Sequence, residues 1–243
     1  MKDRFVLIPN GRKIIGVVLS FFVLFTCAYL SFSIQIVKDV IISSNDDVYS
    51  AYYHGNTQKK RATIMFNVYW GNEYIDSILE ILKKNNIKTT FFIGGIWAEK
   101  YPDILRKIVD DGHEIGSHGY SHKDHSKLNY EENIKEMRKA EEIIKSITNR
   151  EITLFAPPSG YISEEMFKAC EYLGYKTIMW SNDTVDWRDK NAKLIYKRAI
   201  KNASGGELIL MHPTEKTVEV LQEVINRYHN NGFRLTTVGE NLS

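Results

Sequence analysis

Cysteine is nearly missing from this 243-residue chain. Only Cys27 and Cys170 occur, in very different segments, and such a pair gives no disulfide framework from which a redox compartment could be read. An excess of charge of one sign is missing too. Lys and Arg number 32 against 30 Asp and Glu, for a net charge of +2, and the basic residues are scattered among the acidic ones. The concentrated basic stripe of a nucleic-acid binder is absent, so no nucleic-acid partner is expected. No internal repeat or low-complexity tract is visible, and no feature predicts a protein partner. What remains is ordinary in composition, 43% hydrophobic and 26% charged, and suits one domain plus an N-terminal extension.

Long hydrophobic runs are confined to one place. Ile14 to Ile36 run without a charge and follow Lys2, Arg4, Arg12 and Lys13. About twenty apolar residues span a bilayer and basic residues prefer the cytoplasmic side. The pattern predicts a cytoplasmic segment over 1–13, a transmembrane signal anchor over 14–36, and the rest of the chain outside, as a single-pass protein of the cell membrane. The rival is a cleaved signal peptide, for which Ser31-Phe32-Ser33 matches the small-x-small pattern poorly. Cys27, preceded by Phe25-Thr26, lacks a lipidation context. Residues 37–61 are polar and without periodicity, which predicts a juxtamembrane linker with a solvated His54.

From Ala62 onward short apolar runs alternate with longer helical ones. Strands are expected over Thr63–Tyr69, Thr89–Ile93, Glu114–Ser117, Thr153–Ala156, Lys176–Trp180, Glu207–Met211 and Arg234–Val238, largely apolar as strands buried on both faces should be. Apolar residues at helical spacing, such as Ile75, Ile78, Leu79 and Leu82, or Ile104, Leu105 and Ile108, mark the intervening helices. Asn129 with Glu132 resembles a capping box for a long helix running to about Ile147. Further helices are expected over Ser163–Leu173, Lys193–Asn202 and Thr217–Asn230. This rhythm implies parallel β/α units of an α/β fold, closed as a barrel or open and doubly wound.

The stretch "GHEIGSHGYSHKDH", Gly112 to His125, holds four of the seven histidines. His118 and His122 frame a Gly-Tyr-Ser segment just past an expected strand, and two imidazoles so placed can close on one cation if the chain turns there. The blander reading is a solvated polar loop. In parallel sheets the C-terminal strand ends converge on one face. Here they bring Asn67, Val68 and Trp70, the two histidines, "FAPPSG", "WSNDTVDW" and "LILMHP" together. Asp186 and His212 invite pairing, because an Asp that fixes the tautomer of a His makes it a competent general acid or base. The alternative is a surface Asp and a His that caps the next helix.

These motifs, in this order, resemble the polysaccharide deacetylase family, the NodB-homology domain of carbohydrate esterase family four. "SHGYSH" is similar to its metal-binding His-x-x-x-His motif, "APPSG" to Arg-Pro-Pro-Tyr-Gly, "DTVDW" to the Asp-Trp motif and "LILMH" to Leu-x-His, with "ILEILKKNNIKTTFFIGG" and "DGHEIGSH" around them. The resemblance covers 62–243 and implies a deformed (β/α) barrel of about seven parallel strands. It also implies a divalent metal, often zinc, that activates water to remove acetyl from an N-acetylated sugar, here cell-wall polysaccharide such as peptidoglycan. On this resemblance His118 and His122 are the metal ligands, and His212, oriented by Asp186, protonates the leaving amine. Trp187 and Leu210 wall the acetyl pocket, and the backbone of Pro158-Ser159 faces the developing oxyanion.

Three positions depart from that pattern. The family's two adjacent aspartates, base and metal ligand, are Asn67 and Val68 here, and the Arg that pairs with the base is Ala156. Losing the Arg together with the Asp avoids a buried unpaired charge. Two hypotheses follow. One is a remodelled deacetylase, with Asp183 as the substitute base and Asp124 or His125 as the substitute ligand. The other is a pseudoenzyme that binds wall glycan without turnover. Tyr69, Trp70, Trp97 and Tyr120 are candidates to floor a sugar groove by stacking, with core packing explaining some of them equally well, and Tyr69, Trp70 and Tyr120 are the better ones because they lie beside the proposed site. Cys170 at helical spacing from Met166 and Leu173 reads as buried, and His113 and His229 as ordinary residues.

Overall fold

The computed structural model describes Thr26 and residues 50–243. The expected anchor over 14–36 therefore lies outside the described residues, Thr26 apart, and among the described residues no helix is long and apolar enough to cross a membrane.

The domain alternates strand and helix: β1 (Ala51–Tyr52), β2 (Arg61–Val68), α1 (Asn72–Lys84), β3 (Thr90–Ile93), α2 (Gly95–Lys100), α3 (Pro102–Asp110), β4 (Glu114–Ser117), α4 (Tyr130–Thr148), β5 (Leu154–Phe155), α5 (Glu164–Leu173), β6 (Lys176–Ile178), β7 (Asn182–Asp183), α6 (Ala192–Ala199), β8 (Glu207–Met211), α7 (Glu215–Asn230), β9 (Arg234–Leu235) and α8 (Val238–Leu242). Every ladder pairing is parallel, in the order β1-β6-β5-β4-β3-β2-β8-β7, with β9 beside the start of β2. The sheet curls into a partial barrel. No ladder joins β1 to β7, yet one stretch, Lys176 to Asp183, runs from pairing with β5 to pairing with β8 and spans the gap through Ser181 N–H donating to Leu208 O (2.9 Å). The expected seven strands are present and shorter than predicted where turns intrude; β1 and β7 are additional.

The described part of the expected linker is not free. Ala51 and Tyr52 pair with Thr177 and Ile178, His54 bridges to Glu207, and Gly55 N–H donates to Gly206 O at 2.6 Å. Residues 50–61 thus belong to the folded unit. Their polar composition hid this, because a short edge strand bonds through backbone and needs little apolar surface.

Strand alternation divides the core in two. Ala62, Ile64, Phe66 and Val68 of β2 face the helices, joining Ile75, Ile78, Leu79 and Leu82 of α1 in the outer apolar layer. Met65, Phe92, Leu154, Ala156, Leu208 and Leu210 fill the barrel interior. The α4 capping box forms as expected, Asn129 accepting from Glu132 N–H while Glu132 accepts from Asn129 N–H. Cys170 is buried and free, its thiol pushed up to about 12 by burial, so it is an inert apolar filler.

Candidate active site

β2, β3, β4 and β8 end nearly in register: Val68 faces Ile93, Ile93 faces Ser117, and Phe66 faces Met211. Whatever follows each strand therefore collects on one rim. A cavity of about 520 Å³ opens there. From β2 it receives Asn67, Tyr69 and Trp70, from the loop after β4 His118 and His122, from the turn after β5 Ser159, from β7 and the loop after it Asp183 and Trp187, and from β8 Leu210 and His212. Tyr161 and Trp180 line it as well. Neither was singled out as a site residue in the sequence, since the one lies past the Pro-Pro-Ser-Gly turn and the other ends an expected strand.

His118 is 2% exposed, and its Nδ1 lies 2.7 Å from the carbonyl oxygen of Ala156. A carbonyl only accepts, so Nδ1 carries the proton and Nε2 keeps a free lone pair. Burial first, then the neighbouring His122, holds its pKa well below the usual imidazole range. His122 packs edge-on at 5.1 Å between ring centroids and is also lowered, chiefly by burial. Both rings are neutral at pH 7. That is the state a metal requires.

The imidazole pair fits one divalent cation as two neutral nitrogen donors. A third donor is not in place, for among the described residues no group of three His, Cys, Asp or Glu converges on a metal position. Val68 cannot serve; it is fully buried in the outer layer, because residue 68 falls on the helix-facing side of β2. Neither of the two substitute ligands considered above lines the cavity. Asp124 accepts from Ser126 N–H and Oγ, and His125 is buried, with Nδ1 2.7 Å from Asn133 Oδ1 and its ring edge-on to Phe155.

The opposite wall is complete. Asp186 is 4% exposed and accepts from three donors: His212 N–H (2.7 Å), His212 Nδ1 (2.8 Å) and the Thr217 hydroxyl. This fixes the His212 tautomer with Nε2 free, while the Trp70 ring lies parallel to His212, 6.0 Å away and 3° from coplanar orientation. Asp186 sits behind His212 and does not line the cavity. Thr217, on the first turn of α7, was not foreseen, since a Thr three residues after the N-cap Thr214 reads only as capping.

Asn67 is the residue that the resemblance puts at the place of the family's base. Its side chain projects to the barrel interior, it is 4% exposed, and neither end of its carboxamide has a hydrogen-bond partner among the described residues, Oδ1 being fully buried. An unsatisfied buried amide costs roughly 1–3 kcal/mol. Ala156 lies in the interior cluster. Asp183 lines the cavity with one carboxylate oxygen accepting from Val185 N–H at 2.8 Å. Pro158 is buried and does not line the cavity; Tyr120 is drawn aside by Glu99 and Lys139, and Trp97 is core.

Backbone strain concentrates at this rim. Besides Asn86 and Asn149 at helix ends and Ala203, the non-glycine residues with left-handed φ among the described residues are His122 (56°), Ser159 (58°) and Val185 (54°). For a β-branched Val this is costly, and such strain is held where surrounding structure fixes a site.

The family model for polysaccharide deacetylases matches residues 54–178. The chain belongs to the polysaccharide deacetylase family. It is 37% identical over 188 residues to the uncharacterized protein YlxY of Bacillus subtilis, an alignment covering 77% of this chain and 59% of YlxY. The chain thus spans less than two thirds of that relative. It is 30% identical over 204 residues to the peptidoglycan-N-acetylmuramic acid deacetylase PdaA of the same species, covering 82% of this chain and 78% of PdaA. Among solved structures, a family 4 carbohydrate esterase pseudoenzyme from Bacillus anthracis is 35% identical with a TM-score of 0.78, over 80% of this chain and 69% of that one. A mutant of that pseudoenzyme, with restored enzymatic activity, gives 34% identity and the same TM-score over 80% and 71% of the two chains.

Proposed function

We propose that the cavity receives the N-acetylamino sugar of cell-wall glycan, peptidoglycan first, and that the protein is a carbohydrate N-deacetylase with a remodelled base half. The observation that carries this is the built acid half: a buried Asp186 with three donors, holding His212 with Nε2 free. A surface that only bound sugar would have no use for it. In the reaction, water adds to the acetyl carbonyl carbon and the C–N bond breaks, releasing acetate and the free amine. Asp183 takes the proton from water, and His212, which enters the step as the imidazolium with a second proton on Nε2, gives that proton to the departing nitrogen. Leu210 and Trp187 wall the methyl group. A divalent cation, zinc first, held by His118 and His122, supplies Lewis acidity for the carbonyl when bound. The N-terminal segment anchors the protein in the cell membrane with the domain on the outer face, where such glycan lies.

A second reading is a glycan-binding pseudoenzyme. Asn67 accepts no proton from water and Val68 offers no ligand, and the likeness to the Bacillus anthracis pseudoenzyme supports it. Acetate release separates the two. The full chain is incubated with N-acetylglucosamine oligomers and with peptidoglycan, with added zinc, beside His118→Ala and His212→Gln. Release abolished in both variants supports the deacetylase. Binding without release makes the second reading the correct one.

A further inference from the structure

Among the described residues, Asn67 is the cavity-lining residue with a buried side-chain polar atom that has no partner, whereas His118 is tied to Ala156 and His212 to Asp186. An orphaned carboxamide is not explained by folding, since an apolar side chain of similar size would fill the same place without an unmet hydrogen bond. It is explained by a ligand. We propose that Asn67 is a specificity residue that reads the acetamido group of the sugar by amide-to-amide hydrogen bonding, so that the position of the family's base has become a recognition position.

The chemistry distinguishes an amide from a carboxylate. A carboxamide has a donor end and an acceptor end, and a half-turn about its last bond, a broad two-fold torsion, exchanges which end faces the cavity. An acetamido group offers a carbonyl acceptor and an N–H donor, so either orientation of Asn67 finds a partner on it. An aspartate can only accept. The de-acetylated sugar lacks the carbonyl, and at neutral pH presents an ammonium instead. This inference rests on the reading that N-acetylated glycan occupies the cavity. It holds whether or not turnover follows.

The test measures binding by calorimetry of the full chain with N-acetylglucosamine tetramer and with glucosamine tetramer. A chelator is present, and mass spectrometry verifies that the oligomer stays acetylated. The wild type is expected to prefer the acetylated tetramer at least about tenfold, which at about 1.4 kcal/mol is the net worth of one hydrogen bond. Asn67→Ala should reduce that preference to within about threefold while leaving the affinity for glucosamine tetramer unchanged, and Asn67→Asp should reduce it as well. The Tm of Asn67→Ala should be no lower than that of the wild type, whereas an asparagine with only a structural role would lower it on removal. A preference that survives Asn67→Ala overturns the inference and leaves the glycan reading standing. A wild type that binds neither tetramer nor peptidoglycan overturns both.

Discussion

Asp186 satisfies a backbone N–H, an imidazole N–H and a hydroxyl with one buried carboxylate. Replacing it strands those donors. Asp186→Ala should lower the unfolding free energy by roughly 3 kcal/mol, measured by urea titration. Asp186→Asn keeps the shape but turns one acceptor into a donor, so the His212 tautomer is no longer fixed, and acetate release should fall a hundredfold or more. His113 makes a separate prediction, far from this wall. Its Nδ1 accepts from Thr89 N–H at 3.1 Å, its ring lies edge-on to Phe91, and burial, then Lys88, lowers its pKa from 6.5 to about 4. The unfolded chain therefore binds a proton below pH 6.5 that the folded chain refuses until about pH 4, so this residue's contribution to stability is complete above 6.5 and is lost as pH falls through that window. Between pH 6.5 and 5 the loss is about 2 kcal/mol. Urea midpoints of His113→Asn at the two pH values should differ by less than those of the wild type, and equal slopes would refute the assignment. At Asn67, an aspartate would give the imidazole pair the anion it lacks. Asn67→Asp should bind zinc more tightly than the wild type in a competition titration with a chromophoric chelator.

At the scale of the element, α4 depends on its first turn. Asn129→Ala removes one half of the reciprocal cap and should cost about 1 kcal/mol, read from the urea midpoint. That cap was legible in the sequence because Asn-x-x-Glu before an apolar period has one structural meaning. The β2 strand was legible in a different way. Its run of apolar residues announced a strand buried on both faces, and strand ends told which residues share a rim. They did not tell which way residue 68 points. Alternation puts Asn67 inside and Val68 outside, so the two positions differ physically: one puts a polar group in the cavity, the other an apolar group in the outer core. Short edge strands stayed hidden, since β1 and β7 are each two residues of mixed composition held by backbone bonds. So did the two site features made by main chain or capping groups, the Ala156 carbonyl and Thr217, which no motif of side chains marks.

Over the whole molecule, the order of β/α units, the converging rim and the pairing of Asp186 with His212 could be read from one sequence, because parallel topology fixes them together. Cavity shape could not, since it depends on how far Tyr161 and Trp180 lean in from loops. The anchor expectation belongs to this scale as well: after cell lysis the full chain should sediment with membranes, and a chain starting at Ser50 should stay in the supernatant. Where that shorter chain begins is not arbitrary. β1 is the outermost strand on β6, its Tyr52 carbonyl accepting from Met179 N–H at 2.9 Å. A protein trimmed to Ala62, where apolar periodicity first becomes visible, would leave the Lys176–Ile178 backbone as a bare edge, a template onto which another chain can pair. Such a species should self-associate with time and concentration in light scattering, while the Ser50 species stays monodisperse. The few unremarkable residues ahead of the recognisable domain would then be what keeps copies of it apart.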